Sequence, residues 1–162
     1  MKNAKHGGLK NSLALRMWAF LLALGLSFGA AAQGASSADA AIGVARQWLA
    51  VADTDKAAAM WEQSSPLMKK KEDQAFWVNY IAAMRSALGT PAGEKTWVGI
   101  EREIDNPTLP PGEFVSVLFI SPFSKTRAWE KVALFKDRTQ WVPVGYQYGA
   151  IPATPAAAAA AK

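Results

Sequence analysis

The chain of 162 residues has no cysteine and a single histidine, His6. Without cysteine there is no disulfide, no thiol nucleophile and no sulfur ligand for a soft metal. His6 falls in a stretch that reads as an export leader, so the mature chain is expected to lack imidazole as well. That excludes Ser–His and Cys–His catalysis and any zinc site built from nitrogen and sulfur. Acid–base work would fall to Asp, Glu, Lys or Tyr, and a metal would have to be a hard cation held by oxygens. No metal and no cofactor is expected.

Long apolar runs are scarce too. "MWAFLLALGLSF" (17–28) has twelve residues, short of the roughly 20 that a membrane span needs but within the roughly 7–15 of a secretory signal. Lys2, Lys5, Lys10 and Arg16 precede or open it, no carboxylate does, and "GAAAQ" follows with small residues. The expectation is a signal peptide over 1–32 cleaved after Ala32, a periplasmic or secreted protein, and no stable membrane anchor afterwards. The leader holds four of the 18 basic residues and none of the 13 acidic ones, which leaves 14 against 13. The basic pI thus belongs to the export signal, and no nucleic-acid partner is expected.

What is present is a core. The apolar share is 51%, and six of the seven tryptophans lie beyond the first thirty residues. After a small polar linker (33–38), Ala41, Ile42, Ala45, Trp48, Leu49 and Ala52 repeat at helical spacing and predict a helix over about 40–53, capped by Ser37 or Asp39. A shorter helix is expected over 56–64, capped by Thr54 or Asp55, with Ala57, Trp61 and Ser64 on one side and Pro66 as its stop. A third is expected over 74–88, with Asp73 as cap, Phe76, Trp77, Tyr80, Ile81, Met84 and Leu88 as apolar face, and Gly89 as terminator.

Beyond residue 94 the period changes to two. Val98, Ile100 and Ile104 alternate with Glu101, Glu103 and Asp105. "NPTLPPGE" (106–113) is a turn, and "FVSVLFISPF" (114–123) is apolar on both faces and reads as a central strand. "RAWEKVALFK" (127–136), a turn over 137–139 and "QWVPVGYQY" (140–148) complete four strands, and an Ala/Pro-rich tail follows over 152–162. Helices first and hairpin-linked strands afterwards predict one α+β domain over 39–151, with helices on a curved four-stranded antiparallel sheet. By analogy this is cystatin-like or nuclear-transport-factor-2-like. The second face of the central strand is expected to be covered by loops or by a second copy in a homodimer.

Over about residues 38–148 the chain resembles the domain-of-unknown-function 4019 family of small exported bacterial proteins. The resemblance rests on Trp48-Leu49 with Asp53, Trp61-Glu62, Trp77 with Arg85 and Leu88-Gly89. It continues through Leu109-Pro110-Pro111-Gly112-Glu113-Phe114, Glu130-Lys131-Val132, and Trp141 with Gly145-Tyr146. The chain departs from the family at Asp137-Arg138-Thr139, where a glycine is usual, and at Ala87, where proline is usual. The resemblance implies an exported α+β domain and supplies no catalytic residues.

Four residues stand out as candidates for ligand binding: Arg85, Glu130, Tyr146 and Trp77. Arg85 follows Trp77 and Ile81 at four-residue steps, at the edge of the buried stripe. It reads as an anion clamp between helix and sheet, as an ion-pair partner of Glu130, or as an arginine whose stem covers apolar surface while its head stays wet. Glu101, Glu103 and Asp105 read as edge protection rather than a cation site. "KKKED" (69–73) reads as a solvated connection rather than a membrane patch. The tryptophans read as core. In "WVPVGYQY" (141–148) strict alternation puts Val142, Val144, Tyr146 and Tyr148 on one face, and Trp141, Pro143, Gly145 and Gln147 on the other. Pro143 marks an edge or a bulge, and Tyr146 is expected to send its hydroxyl to Glu130 or Arg85.

The reading that results is a non-enzymatic binding module for a small molecule, peptide or envelope protein. The alternatives are a small cone-fold hydrolase or isomerase using Glu130, Tyr146 and Arg85, and an envelope structural protein.

Overall fold

The computed structural model describes residues 37–152. The expected leader, most of the linker and the tail from 153 lie outside the described residues. Helix α1 (Ala38–Asp53) is capped by Ser37, whose hydroxyl accepts from the Ala40 N–H at 3.1 Å. It therefore begins two residues before the expected start and takes in the last residue of the expected linker. Its inner stripe is Ala41, Ala45, Trp48, Leu49 and Ala52, all buried, with Ile42 at the margin.

The connection after α1 differs from expectation. Neither Thr54 nor Asp55 caps α2 (Ala57–Glu62). Lys56 occupies the cap position without a side-chain bond, because Asp55 turns the chain at φ 58°. Helix α2 buries Ala57 and Met60, while Trp61 stays half-buried. The Met60 carbonyl accepts from both Trp48 Nε1 (2.9 Å) and Ser64 Oγ (2.8 Å). Pro66 does not stop α2; it opens a one-turn helix α3 (Pro66–Lys69) capped by Ser65, where a missing N–H costs nothing.

Helix α4 (Gln74–Leu88) starts where Asp73 Oδ1 accepts from the Phe76 N–H at 2.7 Å, and ends at Gly89 with φ 88°. Its buried stripe is narrower than expected: Trp77, Ile81, Met84 and Leu88 face inward, whereas Phe76 is 51% exposed and stacks on Tyr80. One residue is 100° of helix, so a neighbour of Trp77 lands on the flank.

Strands β1 (Thr96–Ile104), β2 (Glu113–Pro122), β3 (Arg127–Asp137) and β4 (Gln140–Ile151) form an antiparallel sheet in sequence order. Val115, Val117 and Phe119 of β2, with Val132 and Leu134 of β3, face the helices and are buried. Helices on one face of this sheet make the α+β architecture. Trp141 ties β4 to the start of α1 through Nε1 and the Ser37 carbonyl (3.2 Å).

Two bulges break the expected alternation. In β1, Trp97 pairs with Phe119 and Gly99 with Leu118, so Val98 is the extra residue. Trp97, Val98 and Ile104 are 44%, 49% and 57% exposed. The dry face expected of this strand shrinks to Ile100, since β1 is an edge strand and burial falls away along it. In β4 the shift lies between Ala133 and Leu134, whose partners are Gly145 and Pro143, and leaves Val144 as the extra residue. Trp141 and Pro143 therefore share the helix-facing side with Tyr146 and Tyr148, while Val142, Gly145 and Gln147 face away. Pro143 sits both on an edge strand and beside a bulge, where its missing N–H is tolerated.

Candidate functional site

Between helices and sheet lies a chain of alternating charges. Asp53 ends α1, Arg85 lies in the last turn of α4, Lys95 precedes β1, and Glu130 and Tyr146 come from the helix-facing side of β3 and β4. Lys95 Nζ reaches Glu130 Oε2 at 2.6 Å and Asp53 Oδ1 at 3.3 Å. Tyr146 donates to Glu130 Oε1 at 2.6 Å. Arg85 Nη2 donates to the Ala52 carbonyl at 2.8 Å and lies 3.6 Å from Asp53, with Nε 3.5 Å from Asp55. Both cations sit over the Phe123 ring.

Glu130 is 1% exposed, and a charge so placed must be paired in place of its hydration shell. Lys95 and Tyr146 do this by filling one carboxylate oxygen each. Burial raises the Tyr146 hydroxyl well above the ordinary phenol range, and the adjacent Glu130 adds to it. Burial likewise raises Asp53, against the pull of Lys95.

Of the four expected residues, Tyr146 and Glu130 meet directly. Arg85 neither pairs with Glu130 nor stands free as an anion clamp: the carbonyl and carboxylates at the end of α1 hold it, and Lys95 reaches Glu130 instead. Trp77 is core, with ring centroids 5.4 Å from Trp48 and 5.7 Å from Tyr80. Among the described residues, Trp77 Nε1, Arg85 Nη1 and Ser121 Oγ are buried without a hydrogen-bond partner. Lys95 and Asp53 were not among the expected site residues; a lysine in a loop carries no periodic signal.

The open space lies on the other face of the sheet. Ser116, Ala133 and Gly145 stand in one row across β2, β3 and β4. Bulkier rows flank them: Phe114 with Phe135, rings 5.0 Å apart, and Leu118 with Lys131 and Gln147. Three small residues in register sink a trough across the strands. The β1–β2 loop walls it with Leu109 and Pro110, and the segment after α2 walls it with Leu67, Lys71 and Glu72, enclosing about 560 Å³. That volume lies within the roughly 300–1,000 Å³ of small-molecule sites.

Both walls are anchored. In the loop, Asp105 (φ 48°) and Gly112 exchange hydrogen bonds at 2.9 and 3.1 Å, and a Cβ on Gly112 would stand 2.7 Å from the Phe135 ring. Glycine is required there. On the other side, the Ser65 N–H donates to the Pro143 carbonyl at 2.8 Å, and Trp61 Nε1 holds the Glu72 carbonyl at 3.2 Å.

The acidic row of β1 does not converge. Glu101 pairs with Lys131 at 3.1 Å, Glu103 accepts from Asn106, and Asp105 serves the turn. No group of three metal-ligating side chains forms among the described residues. "KKKED" splits between the end of α3, the α4 cap and the trough wall. Of the four expected site residues, only Tyr146 borders the trough. Ser116, Ala133 and Gly145 were missed, and the signal for them was one small residue per strand, visible only once the register is known.

The chain belongs to the family described as a protein of unknown function, DUF4019, whose model matches residues 44–146. None of the curated proteins matches it. Among solved structures it is similar to an NTF2-like protein with a cystatin-like fold from Novosphingobium aromaticivorans. The two are 14% identical, the match covers 94% of this chain and 97% of that one, and the TM-score is 0.34. The α+β architecture rests on the chain's own elements and not on this likeness.

Proposed function

We propose that this member of the DUF4019 family is an exported, non-enzymatic binding module that holds a small amphipathic ligand in the trough on the sheet's outer face. The observation that carries the reading is the row Ser116, Ala133, Gly145, open and walled by two anchored segments. Its lining sets Leu67, Leu109, Pro110 and Phe114 beside Lys71, Glu72, Glu103 and Lys131, which suits a ligand with both apolar and polar parts. Export rests on the leader-like composition of residues 1–32. It predicts a periplasmic or secreted product beginning at Gln33 by mass spectrometry.

The enzymatic reading has one favourable observation, the 2.6 Å bond from Tyr146 to Glu130. Those groups are 7% and 1% exposed and hold one another. A substrate would have to displace the core to reach them, so the geometry favours binding.

An anilinonaphthalene dye tests the trough. Gly145→Val fills its floor, and the new Cβ would meet Ala133 at 3.7 Å, an ordinary contact. The expected result is dye fluorescence with the native protein, lost in the variant at unchanged melting temperature. Equal fluorescence from both proteins, or none from the native one, overturns the reading.

A further inference from the structure

The shape and charge of the trough narrow its ligand, provided that the trough is the binding site proposed above. Its lining reaches obliquely across the strands, from Glu103 on β1, which lies opposite Phe114 and one row along from Ser116, to Lys71 beyond β4. The three inter-strand steps of about 4.8 Å from β1 to β4 give a floor of roughly 14 Å. An extended peptide advances about 3.3–3.6 Å per residue, so four residues span the same length.

Charge distinguishes the two ends. In the middle, Lys131 is held by Glu101 at 3.1 Å. At the β1 end, the only partner of the half-buried Glu103 carboxylate among the described residues is the neutral amide of Asn106. Its negative charge is therefore uncompensated beside the Phe114 wall. At the other end Lys71 is exposed and in no ion pair among the described residues. Glu72 beside it sets a limit, since a second anion at that end is repelled.

The floor adds a third constraint. Ser116, Ala133 and Gly145 leave no bulk above the sheet, so a backbone can approach closely. Ser116 and Gln147 line the trough and offer a hydroxyl and an amide to its peptide groups.

We infer that the trough takes a peptide of about four small or apolar residues with both termini free, its α-ammonium at Glu103 and its α-carboxylate at Lys71. A lone anion with an apolar tail leaves Glu103 uncompensated, and a polyamine brings like charge to Lys71. The residue at the Lys71 end is not Asp or Glu, because Glu72 stands there.

Calorimetric titration with tetra-alanine, its N-acetyl form and its C-amide form tests this. Each free terminus makes one charge-assisted contact, worth about tenfold in affinity. The expected pattern is binding of tetra-alanine, weakened about tenfold by acetylation in the native protein but not in Glu103→Gln. Amidation weakens it about tenfold in the native protein but not in Lys71→Met. Blocked peptides that bind as well as the free one overturn the inference. If no peptide binds while the dye does, and Gly145→Val removes the dye, the peptide inference fails and the trough stands. If neither binds, both fall.

Discussion

Tyr146 and Glu130 are diagonal neighbours on the helix-facing side of β4 and β3, and the phenol donates to the carboxylate at 2.6 Å. The bond joins an aromatic cluster to an ionic one. Tyr146 lies edge-on to Trp48 at 6.1 Å and to Trp77 at 6.3 Å. Glu130 continues through Lys95 to Asp53 at the end of α1. One hydroxyl thus links the packing of α4 on the sheet to the closure of α1.

Tyr146→Phe keeps the ring and removes that link. A buried carboxylate oxygen is left without its donor, which costs about 1–3 kcal/mol. Urea unfolding followed by tryptophan fluorescence should show the midpoint falling with an unchanged slope.

The same hydroxyl makes stability sensitive to alkali. Its folded pKa is raised well above the ordinary 10.0. From about pH 10 upward the unfolded chain therefore releases a proton that the folded chain keeps, and stability falls as pH rises. Tyr146→Phe should lose this extra slope, measured as its difference from the native protein between pH 9 and the alkaline unfolding limit. A smaller slope remains from Tyr80, which burial and then Tyr148 also raise.

Arg85→Met exchanges a guanidinium for a thioether of similar reach. The Ala52 carbonyl loses its 2.8 Å donor and the end of α1 loses a cation. The expected loss is about 1.5–3 kcal/mol, moderated because Nη1 was already unpartnered. Dye and peptide binding in the trough should be unchanged, since Arg85 does not border it.

Arg138→Gly should stabilise. Arg138 takes φ 57° in the two-residue turn between β3 and β4, paired around it by Asp137 and Gln140. Glycine meets that conformation without a Cβ penalty. A gain of about 0.5–1 kcal/mol is expected, read as a rise of a few degrees in melting temperature.

How much of this was legible in the sequence depended on whether the signal was local. The stripe Trp77, Ile81, Met84 and Leu88, the Asp73 cap and the double-faced β2 follow from periodicity and capping chemistry within a few residues. Pro143 signalled an edge or a bulge in β4, but that Val144 is the extra residue there, and Val98 the extra residue in β1, was not readable, because an extra residue is defined only against the partner strand. Lys95 was invisible for a similar reason, as its two carboxylates come from α1 and β3. The trough was the least legible. Ser116, Ala133 and Gly145 are ordinary singly and become a site only when hydrogen bonding lines them up.

Val144 makes β4 one residue longer than strict alternation requires. With it removed, Trp141, Pro143, Tyr146 and Tyr148 would still look toward the helices, and Gly145 and Gln147 would still look away. The residue is therefore dispensable to the sorting of inside from outside. What it contributes is the sharper local twist of a bulged ribbon beside the trough. A chain shortened at that position should keep its melting temperature while losing that twist beside the trough, which separates the shape of the outer face from the packing of the core.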